Sequence, residues 1–233
     1  DGLPRFDHGN EISLDVDAQA LFATDNDVLG NVAHRLEDAG IDSITVDLNS
    51  LFDQDGINTG DINALNTAST TLHGAGLGMH ISDAQAHQVL DAGKEFGEGN
   101  DSYITVDAQG TQLSNSLKDL QKLNIDAVAL GGTGEGAGGS VHIDLGAGAT
   151  LGGILNDGLP TFDHGNEISL DVDANALFTA QDTNVLDAAA HRLEDAGFDS
   201  ITVDLNSLFD QDGINTGDIN ALNTASTALH DAG

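Results

Sequence analysis

The decapeptide FDQDGINTGD occurs twice in the chain, at 52–61 and again at 209–218. In the first copy Asp53, Asp55, Asn58 and Asp61 set four oxygen-bearing side chains around Gly56; Asp210, Asp212, Asn215 and Asp218 repeat the set. Hard oxygen donors spaced along a tight glycine turn are the chemistry of a Ca2+ loop. The same residues fit a second role. Asn58 as helix N-cap, with Asp61 three positions on, is a capping box that starts a helix. The two roles are compatible, and both stay open on sequence alone.

The loop is spaced much as an EF-hand or dockerin loop is, D-x-D-G followed by an acid at a helix start. It is one residue shorter between Gly56 and Asp61, and Leu51 stands two before Asp53, where those loops carry an acid. A second constellation consists of acids that end short strands. Aligning ISLDVD (12–17) with SITVDLN (43–49) matches Asp15 with Asp47 and Asp17 with Asn49, while Asp107 and Asp144 fall in similar places. Carboxylates stacked at the ~4.8 Å strand spacing repel, and Ca2+ between them would couple folding to the cation. The competing role is again capping or acceptance of turn N–H groups.

Histidine offers less. His8 and His164 lie in the repeated FDHGNE beside carboxylates, but each lacks a second His at ligand spacing, so a turn role is expected. His34 and His191 lie off the apolar helix face, and His80 and His142 alternate with apolar strand residues, so all four are expected to face solvent. There is no G-x-S-x-G, Walker A, HExxH or strand-to-helix G-x-G-x-x-G, and no Cys for a thiol nucleophile or a Cys-ligated zinc. Carboxylate pairs are too abundant to single out a glycosidase pair. The chain is read as a non-enzyme.

What must position these residues is a repeat. DGLPRFDHGNEISLDVDAQALF at 1–22 returns as DGLPTFDHGNEISLDVDANALF at 157–178, a spacing of 156, and 42–70 is identical to 199–227. The first long repeat is therefore placed at 1–156 and a partial second copy at 157–233, with the pattern suggesting a piece of something longer. Inside it, strand-like segments recur: ISLDVD, SITVDLN, LGMHI (77–81), YITVDA (103–108), AVAL (127–130) and VHIDL (141–145). Between them lie helical faces: Val28, Val32 and Leu36 with Leu29 and Ala33 beside them; Ile62, Leu65 and Leu72; Ala86, Leu90 and Phe96; Leu113, Leu117, Leu120 and Leu123. Gly40 and Asn124 supply left-handed caps before the next strand.

Each unit is too small to bury its own apolar face, so neighbours must stack. The expected fold is α/β, a right-handed solenoid of short parallel strands alternating with helices, similar to a leucine-rich-repeat coil. The alternative is an open doubly wound sheet; the short, half-polar strands argue against it.

The segment HISDAQAHQVLDAGKEFGEGNDSYITVDAQGTQLSNSLKDLQKLNIDAVAL (80–130), with HRLEDAGIDSITVD and its copy, resembles repeats of large secreted bacterial RTX-like (hemolysin-type) calcium-binding surface proteins and adhesins. Ser82-Asp83-Ala84-Gln85-Ala86 and Asn124-Ile125-Asp126-Ala127 carry the match. The RTX nonapeptide is absent: GGTGEGAGG at 131–139 has Glu135 where an Asp is expected. The resemblance implies secretion, a cell-surface or matrix location, bound Ca2+, and a structural or adhesive role.

Charge narrows the partners. Thirty-nine acidic residues against six basic ones give a net charge of −33, which excludes phosphate neutralisation and so nucleic acid. It disfavours an anionic membrane surface, and no run is long and apolar enough to insert into a membrane. The acids comprise 32 Asp and 7 Glu, a bias toward the residue of caps, turns and cation sites. The expected partners are further copies, stacked end to end into a filament or laterally. A Ca2+-dependent polysaccharide-binding module is the rival, with few aromatics to platform sugar faces.

Overall fold

The computed structural model describes all residues except 1–3, 7–10, 53–55, 98–101, 110–116, 132–140, 147, 156–157, 164–166, 180–182, 210–213 and 233. The chain forms two compact units, one of residues 1–108 with 122–129, the other of 109–121 with 130–233. The seam between long repeats at 156/157 lies inside the second.

In the first unit the order is β1 (Ser13–Asp17), α1 (Ala18–Phe22), α2 (Asn26–Asp38), β2 (Ser43–Asp47), α3 (Asn49–Phe52), α4 (Thr59–Gly74), β3 (Gly78–Ser82), α5 (Asp83–Asp91) and β4 (Ile104–Gln109), with α6 (Leu117–Leu123) and β5 (Ala127–Gly131) after it. The strands neighbour one another in chain order, β1-β2-β3-β4-β5, and the first four are paired in parallel. That order contains no reversal, the point at which a doubly wound sheet places its ligand crevice. The result is an α/β architecture of mostly parallel strands linked by helices.

The second unit holds β6 (Val141–Asp144), a 3-10 turn at Leu151–Leu155, β7 (Thr161–Asp163), β8 (Ile168–Asp173), α7 (Ala174–Thr179), α8 (Thr183–Ala196), β9 (Ser200–Asp204), α9 (Asn206–Phe209) and α10 (Thr216–Ala232). Its sheet is parallel in the order β6-β8-β9.

The near-duplicate sequences show what a neighbouring strand does. ISLDVD forms both β1, at the end of its sheet, and β8, flanked on both sides. Leu14 of β1 is 39% exposed, whereas Leu170 of β8 is fully buried. The sequence is the same; the added strand accounts for the burial, as stacked repeats require.

Helix starts and stops obey local chemistry. Gly40, Gly76, Gly93 and Gly197 lie at positive φ just past helix ends, and Asn124 takes the same left-handed conformation at φ 52°. Its amide bonds back to the Phe96 and Gly97 carbonyls, and Ser102 Oγ donates to its carbonyl at 3.0 Å. Ile62, Leu65, Leu72, Ala86, Phe96, Leu117, Leu120 and Leu123 are buried as the periodicity expects, Leu90 is half-buried, and Leu113 falls outside the described residues.

One helix face is corrected. Val28 and Val32 of α2 are 53% and 40% exposed, and the buried stripe is Leu29 and Ala33. Packing against α4 explains the rotation. α2 packs on α4, and a Cβ on Gly30 would stand 3.7 Å from Thr71 Cγ2.

Candidate functional site

The carboxylates of the sheets' polar face form three recurring arrangements, each built by the strand-to-helix turn or the adjacent strand. In the first, a strand's last aspartate caps the turn or helix beyond it. Asp17 Oδ1 accepts from the N–H groups of Gln19 (2.8 Å) and Ala20 (3.3 Å). Asp47 Oδ1 accepts from Asn49 N–H at 2.9 Å and from Gln85 Nε2 at 2.7 Å. Asp173 and Asp204 accept from Asn175 and Asn206 N–H at 2.7 and 2.8 Å. The one-methylene arm of Asp reaches an N–H two residues on.

In the second arrangement an aspartate entering one strand stitches to the strand before it. Asp42 Oδ2 accepts from Ile12 N–H at 2.8 Å, and Asp199 Oδ2 from Ile168 N–H at 2.7 Å. The third joins a His to an Asp on the next strand. His80 Nδ1 lies 2.6 Å from Asp107 Oδ1, and His142 Nδ1 lies 2.8 Å from Asp171 Oδ1. Since His80 opposes Thr105 and Ser82 opposes Asp107, the contact runs diagonally, two positions forward; His142 to Asp171 repeats it, as do the hydroxyl pairs Ser13–Thr45 and Ser169–Thr202.

The expectation that His80 and His142 face only solvent is therefore corrected. Their strand parity is right, but each meets a carboxylate across the sheet. His80 is largely buried, with Glu11 Oε1 3.9 Å from its Nε2. Burial opposes its charge, but the hydrogen bond and the charge of Asp107, with Glu11, outweigh burial and hold its pKa above the ordinary value. Elsewhere, burial raises the carboxyl of Asp83, which His87, 3.3 Å away on the same helix, partly offsets.

The strand-end ladder takes a different register from the one expected. Asp15 opposes Thr45, and Asp17 opposes Asp47; Asn49 lies beyond the strand as the first residue of α3. Asp107 opposes Ser82, Asp144 opposes Asp171, and Asp173 opposes Asp204. Side-by-side carboxylates thus occur at Asp17–Asp47, Asp144–Asp171 and Asp173–Asp204.

Of the FDQDGINTGD residues, Asp53, Asp55, Asp210 and Asp212 lie outside the described residues, as do His8 and His164. Asn58 and Asp61 form the capping box: Asn58 Oδ1 accepts from Gly60 and Asp61 N–H at 2.7 and 3.2 Å, and Asp61 Oδ2 accepts from Asn58 N–H at 2.9 Å. Asn215 and Asp218 reproduce it at 2.7, 3.2 and 2.9 Å. Asn58→Ala is expected to cost about 1 kcal/mol, read as a lower midpoint in urea unfolding.

The donor set is all hard oxygen, which suits Ca2+ and not a thiophilic metal. Among the described residues, no group of three or more His, Cys, Asp or Glu side chains is arranged to hold a metal, and no helix is long and apolar enough to cross a membrane. No protein-family model and no curated protein matches the chain.

Proposed function

We propose that this chain is a structural or adhesive repeat segment of a secreted bacterial surface or matrix protein. In this reading it is a continuous solenoid, stabilised by Ca2+ and able to associate end to end or laterally. The observation that carries it is the chain-order stacking of parallel strands, in which one sequence is exposed at a sheet end and buried when a further strand is added. Such a coil grows by adding identical units, which suits a spacer or scaffold rather than a moulded pocket. Support for calcium comes from the paired strand-end carboxylates, the hard-oxygen loop before α4 and α10, and the net charge of −33. Asp53, Asp55, Asp61 and their copies would hold the ion.

Thermal melting with millimolar Ca2+ and with EDTA tests the cation. At about a hundredfold excess over Kd, binding adds about 2.7 kcal/mol, which at this size is a rise of roughly 5–10 °C. An identical melt in chelator removes calcium from the reading and leaves a cation-independent scaffold.

A further inference from the structure

Between α4 (residues 59–74) and its copy at 216–231 only two positions differ: Thr71 is matched by Ala228 and Gly74 by Asp231. Among the differences in the helices packed against them, α2 and α8, Asp27 is matched by Asn184 and Gly30 by Asp187. In the second unit these four positions meet. Asn184, Asp187, Ala228 and Asp231, with Thr224 and Thr227, line one groove of about 460 Å³ between α8 and α10. Both of the differences in α10 thus face differences in α8.

The differences offset one another in size. In the first unit Thr71 Oγ1 donates to the Thr67 carbonyl at 2.9 Å, which fixes its rotamer, and its methyl Cγ2 would stand 3.7 Å from a Cβ on Gly30. A Cβ there just reaches van der Waals contact, so the carboxyl of an aspartate must turn away from the methyl. Where the second copy has that aspartate, Asp187, it sets Ala228 opposite, without the methyl. Charge is offset as well. Carboxylates three apart on a helix face repel, and each helix carries only one, Asp27 in α2 and Asp187 in α8. Asp187 lies 3.8 Å from His191 on the next turn.

We infer that α2 with α4, and α8 with α10, are matched pairs, each first helix packing best on the second helix of its own copy. In a chain built from near-identical repeats the competing event is exchange of a helix between copies, and a mismatch at these positions penalises it. Copies so equipped associate by stacking with their helix pairs intact. That mode rests on the proposed self-association; the pairing itself does not.

Two double-mutant cycles in the full chain test the pairing, read by amide hydrogen exchange across α2 and α8, whose differing sequences report the two units separately. Gly30→Asp is expected to speed exchange in α2 about threefold, and Thr71→Ala in addition to return it to within about 1.5-fold of the parent. In the mirror cycle Ala228→Thr speeds exchange in α8, and Asp187→Gly in addition restores it. Additive effects in either cycle overturn the proposal. So does a Gly30→Asn variant that exchanges like the parent, since repulsion by Asp27 would then account for the whole loss. Combining Asn184→Asp, Asp187→Gly, Ala228→Thr and Asp231→Gly makes the two pairs alike at these positions. On refolding, that variant is expected to give about threefold more dimer that survives dilution than the parent; equal yields overturn discrimination between copies. A parent that shows both couplings yet never associates fails the self-association reading alone.

Discussion

Leu72→Ala is expected to destabilise the protein by about 2–5 kcal/mol, and Leu229→Ala by about 1 kcal/mol. The two leucines occupy equivalent positions in α4 and α10, the first fully buried and the second half-buried beside an open groove between β9 and α10. Truncation of Leu72 removes its transfer energy and leaves a cavity roofed by β3. Truncation of Leu229 widens a groove that water already reaches, so little cavity cost is added. Urea unfolding of both variants at one fixed calcium concentration measures the gap. Equal losses would mean that the added strand and helix contribute no packing, and the stacking account of this fold would fail with them.

The parts of this architecture that the sequence displays are local ones. Period-two alternation locates β1 to β6 because one face of each strand is apolar, and Gly40 and Asn124 mark helix ends because only their conformations continue the chain there. The Asn58–Asp61 capping box is readable for the same reason: its hydrogen bonds close within four residues. Register is another matter. Pairing Asp15 with Asp47 rather than Asp17 with Asp47 is a slip of two, which leaves every side chain on its proper face, so periodicity is silent about it. Orientation of α2 is similarly underdetermined. The stripe through Val28 and Val32 and the stripe through Leu29 and Ala33 are adjacent on the helix, and only the packing of α2 on α4 decides which is covered.

The aspartate excess acquires a structural explanation that composition alone lacks. Asp17, Asp47, Asp173 and Asp204 close turns onto N–H groups two residues ahead, and Asp42 and Asp199 reach the preceding strand. Glutamate, one methylene longer, overshoots the first of these contacts, which accounts for the preference for Asp independently of any cation. Under the calcium-stabilised reading proposed above, the cation would act on what capping leaves unbalanced, the side-by-side pairs at the strand ends.

The His80–Asp107 pair gives stability a pH dependence of defined sign. Its folded pKa is raised, so the protonated ring stabilises the fold. That contribution is complete below the unfolded value of about 6.5 and is lost as pH rises through the folded value. Asp107→Asn removes the charge while keeping the shape, and is expected to cost about 1–3 kcal/mol near pH 5.5, where the hydrogen bond is charge-assisted. The loss shrinks as pH rises through the folded value and the ring gives up its proton. Melts of the parent and the variant between pH 5.5 and 8 isolate the pair, because the repulsion among the remaining carboxylates is nearly common to both. A difference that is flat across this range, or one that grows toward pH 8, would mean that Asp107 does not hold the imidazolium.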